Sequence, residues 1–259
     1  MMQNIVKELR FGMRGSKFII LTAGFFFFAL LNPVMIKFVL PALLQSQFPG
    51  MSADALAGMF EASQTASVQS YMGDVFEIGT VIVVFTLCGV IAQELKEKTL
   101  VLPVCSGKSF GGIAGAKLAV FGPALMIILF GALLADWAYS GVLMGFEVPL
   151  MPVVWAGLLQ GVYMVFILSC LMMFGSLLAR PIASGVLTLI LVYGSHYIGS
   201  ALGIGEYLPS GMLGTAASLS NAAAEVLPAL LITAAVSVLF FMISLLRLKR
   251  IELGIGGAK

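Results

Sequence analysis

Charged side chains are scarce in this sequence. Lys and Arg together number 14 and Asp and Glu 12 among 259 residues, so 10% of the chain is charged, against about 25% in a typical soluble domain. With 60% hydrophobic residues, the chain cannot cover its surface with polar groups. This scarcity excludes an ordinary soluble domain and predicts an integral membrane protein.

Histidine and cysteine are also scarce: His196 is the single histidine, and there are three cysteines. A metal site needs about three or four ligands at suitable spacing, and no disulfide framework is indicated. The SGKS stretch at 106–109 is not a phosphate-binding loop, because Leu102 stands where the first glycine is required. We therefore expect no metal, no cofactor and no enzymatic activity in this chain, and no nucleic-acid partner.

Long apolar runs are abundant. A membrane-spanning helix needs about 20 mainly apolar residues, and such stretches lie at 18–40, 75–93, 113–136, 152–178, 182–202 and 226–246. None alternates in polarity as the strands of a lipid-facing barrel do. The predicted fold is an all-α polytopic membrane protein whose six-helix transmembrane domain covers 18–248. Outer segments are expected at 41–73 and 203–225, with short helices in both, and a tail at 249–259.

Residues 1–17 have the pattern of an amphipathic helix. One side is apolar and the other basic; the apolar side carries Met2, Ile5, Val6, Leu9 and Met13, and the basic side Lys7, Arg10, Arg14 and Lys17. Such a helix lies in the membrane interface with its cations near anionic lipid headgroups. The alternative is a frayed tail.

The cations are unevenly placed along the chain. With six spans, all Lys and Arg residues except Lys37 fall on the side that carries both termini. Lys and Arg concentrate in cytoplasmic segments of membrane proteins. Both termini and residues 94–112 are therefore predicted to be cytoplasmic, in the cell membrane.

Few ionisable residues are expected inside the membrane. Glu77, near the outer end of the second span, is the strongest functional candidate among them. Asp74 and Asp136 are interpreted as headgroup-level residues, and His196 as part of an interfacial aromatic belt. Ion-driven transporters usually carry charges deeper in the bilayer, so this pattern counts against one.

The most highly charged stretch between spans is QELKEKTL at 93–100. Glu94 and Lys98 are four apart and are expected to pair on a helix, which Pro103 should then interrupt. A second helix should begin near residue 110. A plain connection could be as short as 179–181, so the extra length predicts a docking surface for a soluble partner.

This stretch resembles the permease subunits of type-2 ABC exporters. The family signature is an acid, a Thr-Leu pair, a proline and a lysine near the start of the third span; here these are Glu94, Thr99-Leu100, Pro103 and Lys117. The family often has glycine where Lys98 stands, and an arginine shortly after the proline, where this chain has Ser106-Gly107-Lys108.

The resemblance implies two permease copies, identical or paralogous, each docked on a cytoplasmic ABC ATPase that binds ATP and Mg²⁺. It assigns coupling to the ATPase to Glu94, Lys96, Glu97, Lys98, Thr99, Leu100 and Pro103. The pathway would lie between the copies along spans one, two and five, with 205–225 as a gate; its candidate residues are Phe25, Phe28, Glu77, Phe85, Tyr193 and Tyr197. These side chains favour a hydrophobic or amphipathic substrate such as a drug, an antimicrobial peptide or a lipid.

Two other functions fit the sequence. One is a membrane anchor or assembly protein that binds a partner without transport, and the other is a six-helix channel or secondary transporter. An exporter requires a separate ATPase, whereas a channel conducts without one.

Overall fold

The structure, a computed structural model, describes residues 2–47, 62–100, 103, 107, 109–219 and 223–256. It contains six helices long and apolar enough to cross a membrane. The helices are α1 (Met2–Arg14), α2 (Lys17–Gln47), α3 (Gln64–Lys96), α4 (Phe110–Met144), α5 (Leu150–Leu178), α6 (Pro181–Ala201), α7 (Pro209–Ala217) and α8 (Ala223–Gly256), with a 3₁₀ turn at Gly205–Tyr207. No strand occurs in these ranges. The predicted all-α, six-helix class is confirmed.

Capping residues set the helix starts. The Ser63 hydroxyl accepts a hydrogen bond from the backbone N–H of Ala66 at 3.2 Å, and the Ser109 hydroxyl accepts one from Gly112 at 3.2 Å, as N-caps do. Pro181 occupies the first turn of α6. Helix α3 begins well before the predicted residue 75, because the polar residues 64–74 continue the helix and pack against α4.

Helix α5 forms the centre of the bundle. Of its most apolar window 72% is buried, against 17% for α8, and α5 packs on α4, α6, α7 and α8. A helix that is apolar on all sides belongs in such a position. Helix α8 therefore lies at the edge, with most of its side chains left for lipid.

Two π-helical turns interrupt the first two spans. One covers Met35–Val39, directly after Pro33, and the other covers Val75–Gly79. Helices deform at Pro and at π turns, and the first span contains both within a few residues. The two spans meet here, since the Asn32 amide donates to Asp74 Oδ2 at 2.8 Å.

The bundle has two distinct ends. Asn4 of α1 and Leu245 of α8 both lie beside the first turn of α4, next to Gly112 and Gly111 respectively; we call this the α1 end. At the opposite end the Lys37 ammonium donates to the backbone carbonyl of Leu143, and a cation there complements the C-terminus of α4. The helix expected within 52–60 lies outside the described residues. Between α6 and α8 the 3₁₀ turn and α7 provide the short helices expected in 203–225.

Candidate functional site

A buried cluster of charges lies at the α1 end. Lys117 Nζ is 2.9 Å from Glu8 Oε2 and 3.0 Å from Glu94 Oε1. The Lys117 and Glu8 side chains are each 1% exposed and that of Glu94 is 16% exposed. We call Glu8, Glu94 and Lys117 the charge cluster. It joins α1, the end of α3 and the start of α4 through ion pairs that are almost entirely withdrawn from solvent.

Helix α1 presents a polar face to the bundle. Asn4, Glu8 and Gly12 are buried and follow one another at intervals of four, whereas Val6, Leu9 and Met13 are exposed. The predicted apolar stripe therefore points away from the protein, as an interfacial helix requires when that stripe meets lipid. Sequence reasoning missed Glu8. The signal was present, because Glu8 is the only acid in a basic segment and lies one helical turn from Asn4.

Helix α3 ends before Pro103, by a different mechanism from the predicted one. The N–H of Thr99 donates to the carbonyl of Glu94 at 3.1 Å, and the N–H of Lys98 donates to that of Leu95 at 3.3 Å. Lys98 has φ of 55°, so this is a Schellman helix end with a left-handed residue after the C-cap. The expected Glu94–Lys98 pair does not form, because Lys98 lies beyond the helix and Glu94 turns towards Lys117.

The predicted coupling residues divide into two groups. Lys96, Glu97, Lys98 and Thr99 are exposed, and we call them the exposed segment. Glu94 and Leu100 point inward, and Pro103 is half-buried. Residues 101, 102, 104–106 and 108 lie outside the described ranges. The structure thus places four solvent-facing side chains directly beside the charge cluster.

Three of the six candidate pathway residues meet near the π turn of α3. The Tyr193 hydroxyl donates to the backbone carbonyl of Glu77. Phe76 contacts both Tyr193 and His196, at 5.7 and 4.8 Å between ring centroids, and His196 contacts Tyr197 at 5.2 Å. A π turn leaves carbonyls free for such side-chain donors. The Glu77 side chain itself is exposed.

The phenylalanine candidates do not join this aromatic group. Phe25 is fully buried and packs against Gly79, Phe28 is half-buried, and Phe85 is 50% exposed. Phe25 is therefore a core residue in this conformation, and only Phe85 of the three presents a large surface outside the bundle.

The sequence interpretation did not predict that the bundle encloses Asp136. Its side chain is fully buried between α3 and α4, where Oδ1 accepts a hydrogen bond from the Ser67 hydroxyl at 3.3 Å. Within the described residues neither its Oδ2 nor the buried Tyr71 hydroxyl has a hydrogen-bond partner. Asp136 follows Lys117 by 19 residues, roughly 28 Å along a helix. The two residues thus lie about one bilayer-core thickness apart along α4, and the bundle encloses the Asp136 side chain.

Gln64 links two parts of the chain at the end of the bundle opposite to the α1 end. Its side-chain oxygen accepts hydrogen bonds from the backbone N–H groups of Glu147 and Val148 at 2.7 and 2.8 Å, and its amide donates to the carbonyl of Trp137 at 2.9 Å. The fully buried side chain therefore ties the start of α3 to the connection between α4 and α5.

Comparisons with family models, with curated proteins and with solved structures found no match to this chain. Its function is therefore argued from the membrane-spanning bundle, the charge cluster with the exposed segment, and the aromatic group.

Proposed function

We propose that this chain is the transmembrane permease subunit of an ATP-driven exporter. Two copies, or one copy and a paralogue, form the pathway, and each copy binds a cytoplasmic ABC ATPase through the exposed segment. The observation that carries the proposal is the mounting of that segment on the buried charge cluster.

The charge cluster makes a stiff base for the exposed segment. Ion pairs withdrawn from water interact more strongly than surface pairs, and separating them leaves uncompensated buried charges. Glu8, Glu94 and Lys117 belong to three different helices. A force applied to the exposed segment therefore moves α1, α3 and α4 together, which is the mechanical requirement for coupling an ATPase to a bundle.

The backbone at Lys98 supports the resemblance to type-2 exporter permeases. The family often has glycine at this position, and Lys98 adopts the left-handed conformation that glycine adopts without steric cost. The departure from the signature thus changes the side chain while the turn keeps the shape that a glycine would favour. Thr99 and the inward-pointing Leu100 follow directly.

The surface of α3 and α6 supports an amphipathic substrate. Phe85, Tyr197 and Ile198 are 50%, 67% and 62% exposed, and the Glu77 side chain is exposed on the same pair of helices. A face with apolar and aromatic groups and a single acid suits a molecule that is mostly apolar. In the proposed assembly this face borders the pathway between the two permeases.

An ion-coupled secondary transporter is the second candidate, and Asp136 favours it. In the described part of the chain no Lys or Arg pairs with this buried carboxylate. A charge enclosed in this way is costly unless it takes up a proton or a cation, and the sequence interpretation had placed Asp136 at the level of the headgroups.

Purification of the tagged full chain from its native membrane tests the proposal. ATPase activity should copurify with the chain, fall at least fivefold in Lys98→Ala and remain in Lys249→Ala. The second variant removes the same kind of charge from the same end of the bundle, outside the exposed segment. Equal activity in both variants, or transport by preparations free of ATPase, contradicts the proposal.

A proton-flux assay distinguishes the second candidate from the exporter. It uses proteoliposomes that contain this chain alone and the pH dye pyranine. Proton flux that Asp136→Asn abolishes supports ion-coupled transport. The exporter proposal predicts no such flux.

A further inference from the structure

A groove with a charged mouth and an apolar wall lies between the end of α3 and the start of α6. Its volume is about 610 Å³, within the range of about 300–1,000 Å³ that ligand sites occupy. Lys96 from α3 and Arg180, which precedes α6, line the mouth, and Ile182, Val186 and Leu187 line the wall.

The charged side chains that line the groove are both positive. No acidic residue lines it, and among the described residues neither Lys96 nor Arg180 forms an ion pair. The neighbouring Glu97 is engaged with Gln93, whose amide donates to Glu97 Oε1 at 2.8 Å. Two cations from separate elements therefore face the same space, and no described acidic residue pairs with either of them.

The apolar wall extends from the cations along a membrane-spanning helix. Ile182 and Val186 are 72% and 42% exposed and lie one turn apart on α6. A soluble protein reaches the cations at the end of the bundle, but side chains inside the hydrocarbon are reached from the lipid side. The order of the groove, cations first and aliphatic side chains deeper, matches the order of headgroup and acyl chain in a phospholipid.

We propose that this groove binds an anionic phospholipid of the adjacent leaflet, with its phosphate between Lys96 and Arg180 and an acyl chain along Ile182, Val186 and Leu187. Basic pockets between membrane helices bind acidic lipid headgroups in this way. The lipid bridges the ends of α3 and α6 through Lys96, the first residue of the exposed segment, and Arg180. The inference does not depend on the exporter proposal, because it uses only the membrane-embedded bundle and the geometry of the groove.

Native mass spectrometry of the full chain in detergent tests this binding. The chain is titrated with phosphatidylglycerol and, separately, with phosphatidylcholine of the same acyl chains. We expect one phosphatidylglycerol to be retained per chain, with at least tenfold weaker retention of phosphatidylcholine. In Lys96→Gln/Arg180→Gln the affinity for phosphatidylglycerol should fall about tenfold or more, since each surface cation contributes appreciably to binding anionic lipid.

The matched control is Lys249→Gln/Arg247→Gln, which removes one lysine and one arginine at the end of α8. It should bind phosphatidylglycerol like the unmodified chain. Equal losses in both double variants indicate general surface charge and overturn the proposal, as does retention unaffected by Lys96→Gln/Arg180→Gln. Detection of a dimer of this chain that retains no lipid also overturns the proposal. All four replaced side chains are exposed, and the single variants Lys96→Gln and Arg180→Gln, each with a partial loss, replace the double variant if it fails to fold.

Discussion

The acids at the two ends of the bundle have different kinds of partner. At the α1 end, Glu8 and Glu94 both meet Lys117, and Lys7 lies 3.8 Å from Glu8. At the opposite end, Asp136 meets a serine hydroxyl and Asp74 meets the Asn32 amide. A paired cluster fixes helices to one another, because separation exposes charges that are costly to leave alone. Within the described residues Asp136 has no cation partner and its Oδ2 has no hydrogen-bond partner, so the opposite end is not held together by ion pairs of this kind.

Lys117→Met should produce the largest effect. It leaves Glu8 and Glu94 close together without their cation, and breaking a buried ion pair costs about 3–5 kcal/mol. Denaturant or thermal unfolding in detergent measures the loss. The triple variant Glu8→Gln/Glu94→Gln/Lys117→Met should recover most of it, because no charge then remains buried. If the single variant is neutral, the charge cluster does not hold the α1 end together.

Gln64→Leu should be next, with a loss of about 2–3 kcal/mol, since it leaves the buried N–H group of Val148 and the partly buried N–H group of Glu147 without acceptors. Gln69→Leu is the control, because Gln69 is exposed and makes one bond, to the carbonyl of Ala217 at 3.0 Å. Equal unfolding midpoints for the two variants would show that the opposite end is not fastened through Gln64.

Asp136→Asn should change stability in the opposite direction from the two preceding variants, so it tests the difference between the two ends directly. Removing a buried charge without a cation should raise stability by about 1 kcal/mol. Asp74→Asn, which weakens the charge-assisted bond from Asn32, should instead lower it by about 1 kcal/mol. A loss in Asp136→Asn as large as that in Lys117→Met would mean that a cation is held there, and the two ends would then be alike.

Lys98→Gly should give the smallest effect, a gain of about 1 kcal/mol or less, because glycine adopts the left-handed conformation without the cost borne by other residues. Lys96→Gly, two residues earlier and inside the last turn of α3, should lose about 1 kcal/mol. The same unfolding assay reads both. A loss in Lys98→Gly would show that the Schellman end does not form.

The spans could be predicted because runs of apolar residues and the positions of Lys and Arg are local properties. The partner of Glu94 could not be predicted, because Lys117 is 23 residues away in the sequence. Lys98 and Lys117 both carry the positive charge that a partner of Glu94 needs, so charge alone does not choose between them. The enclosure of Asp136 by the bundle could not be predicted either, for a related reason. Hydropathy does not distinguish a lipid-facing side from a bundle-facing side when both are apolar, so the sequence could not indicate that Asp136 points into the bundle.

The resemblance to exporter permeases placed Glu94, Thr99 and Lys117 in one functional region, and the structure brings Glu94 and Lys117 into contact. It did not indicate Glu8, which lies outside the quoted signature. Residues 1–17 were expected to form an amphipathic helix in the membrane interface, and the polar face of α1, not its apolar one, meets the bundle.

The most direct test of docking is photo-crosslinking from Glu97 in intact cells. A p-benzoylphenylalanine at this exposed position is compared with one at exposed Glu206, at the opposite end of the bundle. The account predicts a crosslink from position 97, and none from position 206, to a cytoplasmic protein that mass spectrometry identifies as a P-loop ATPase. A crosslink to such a protein from position 206, or none from position 97 in cells that carry out export, would contradict it.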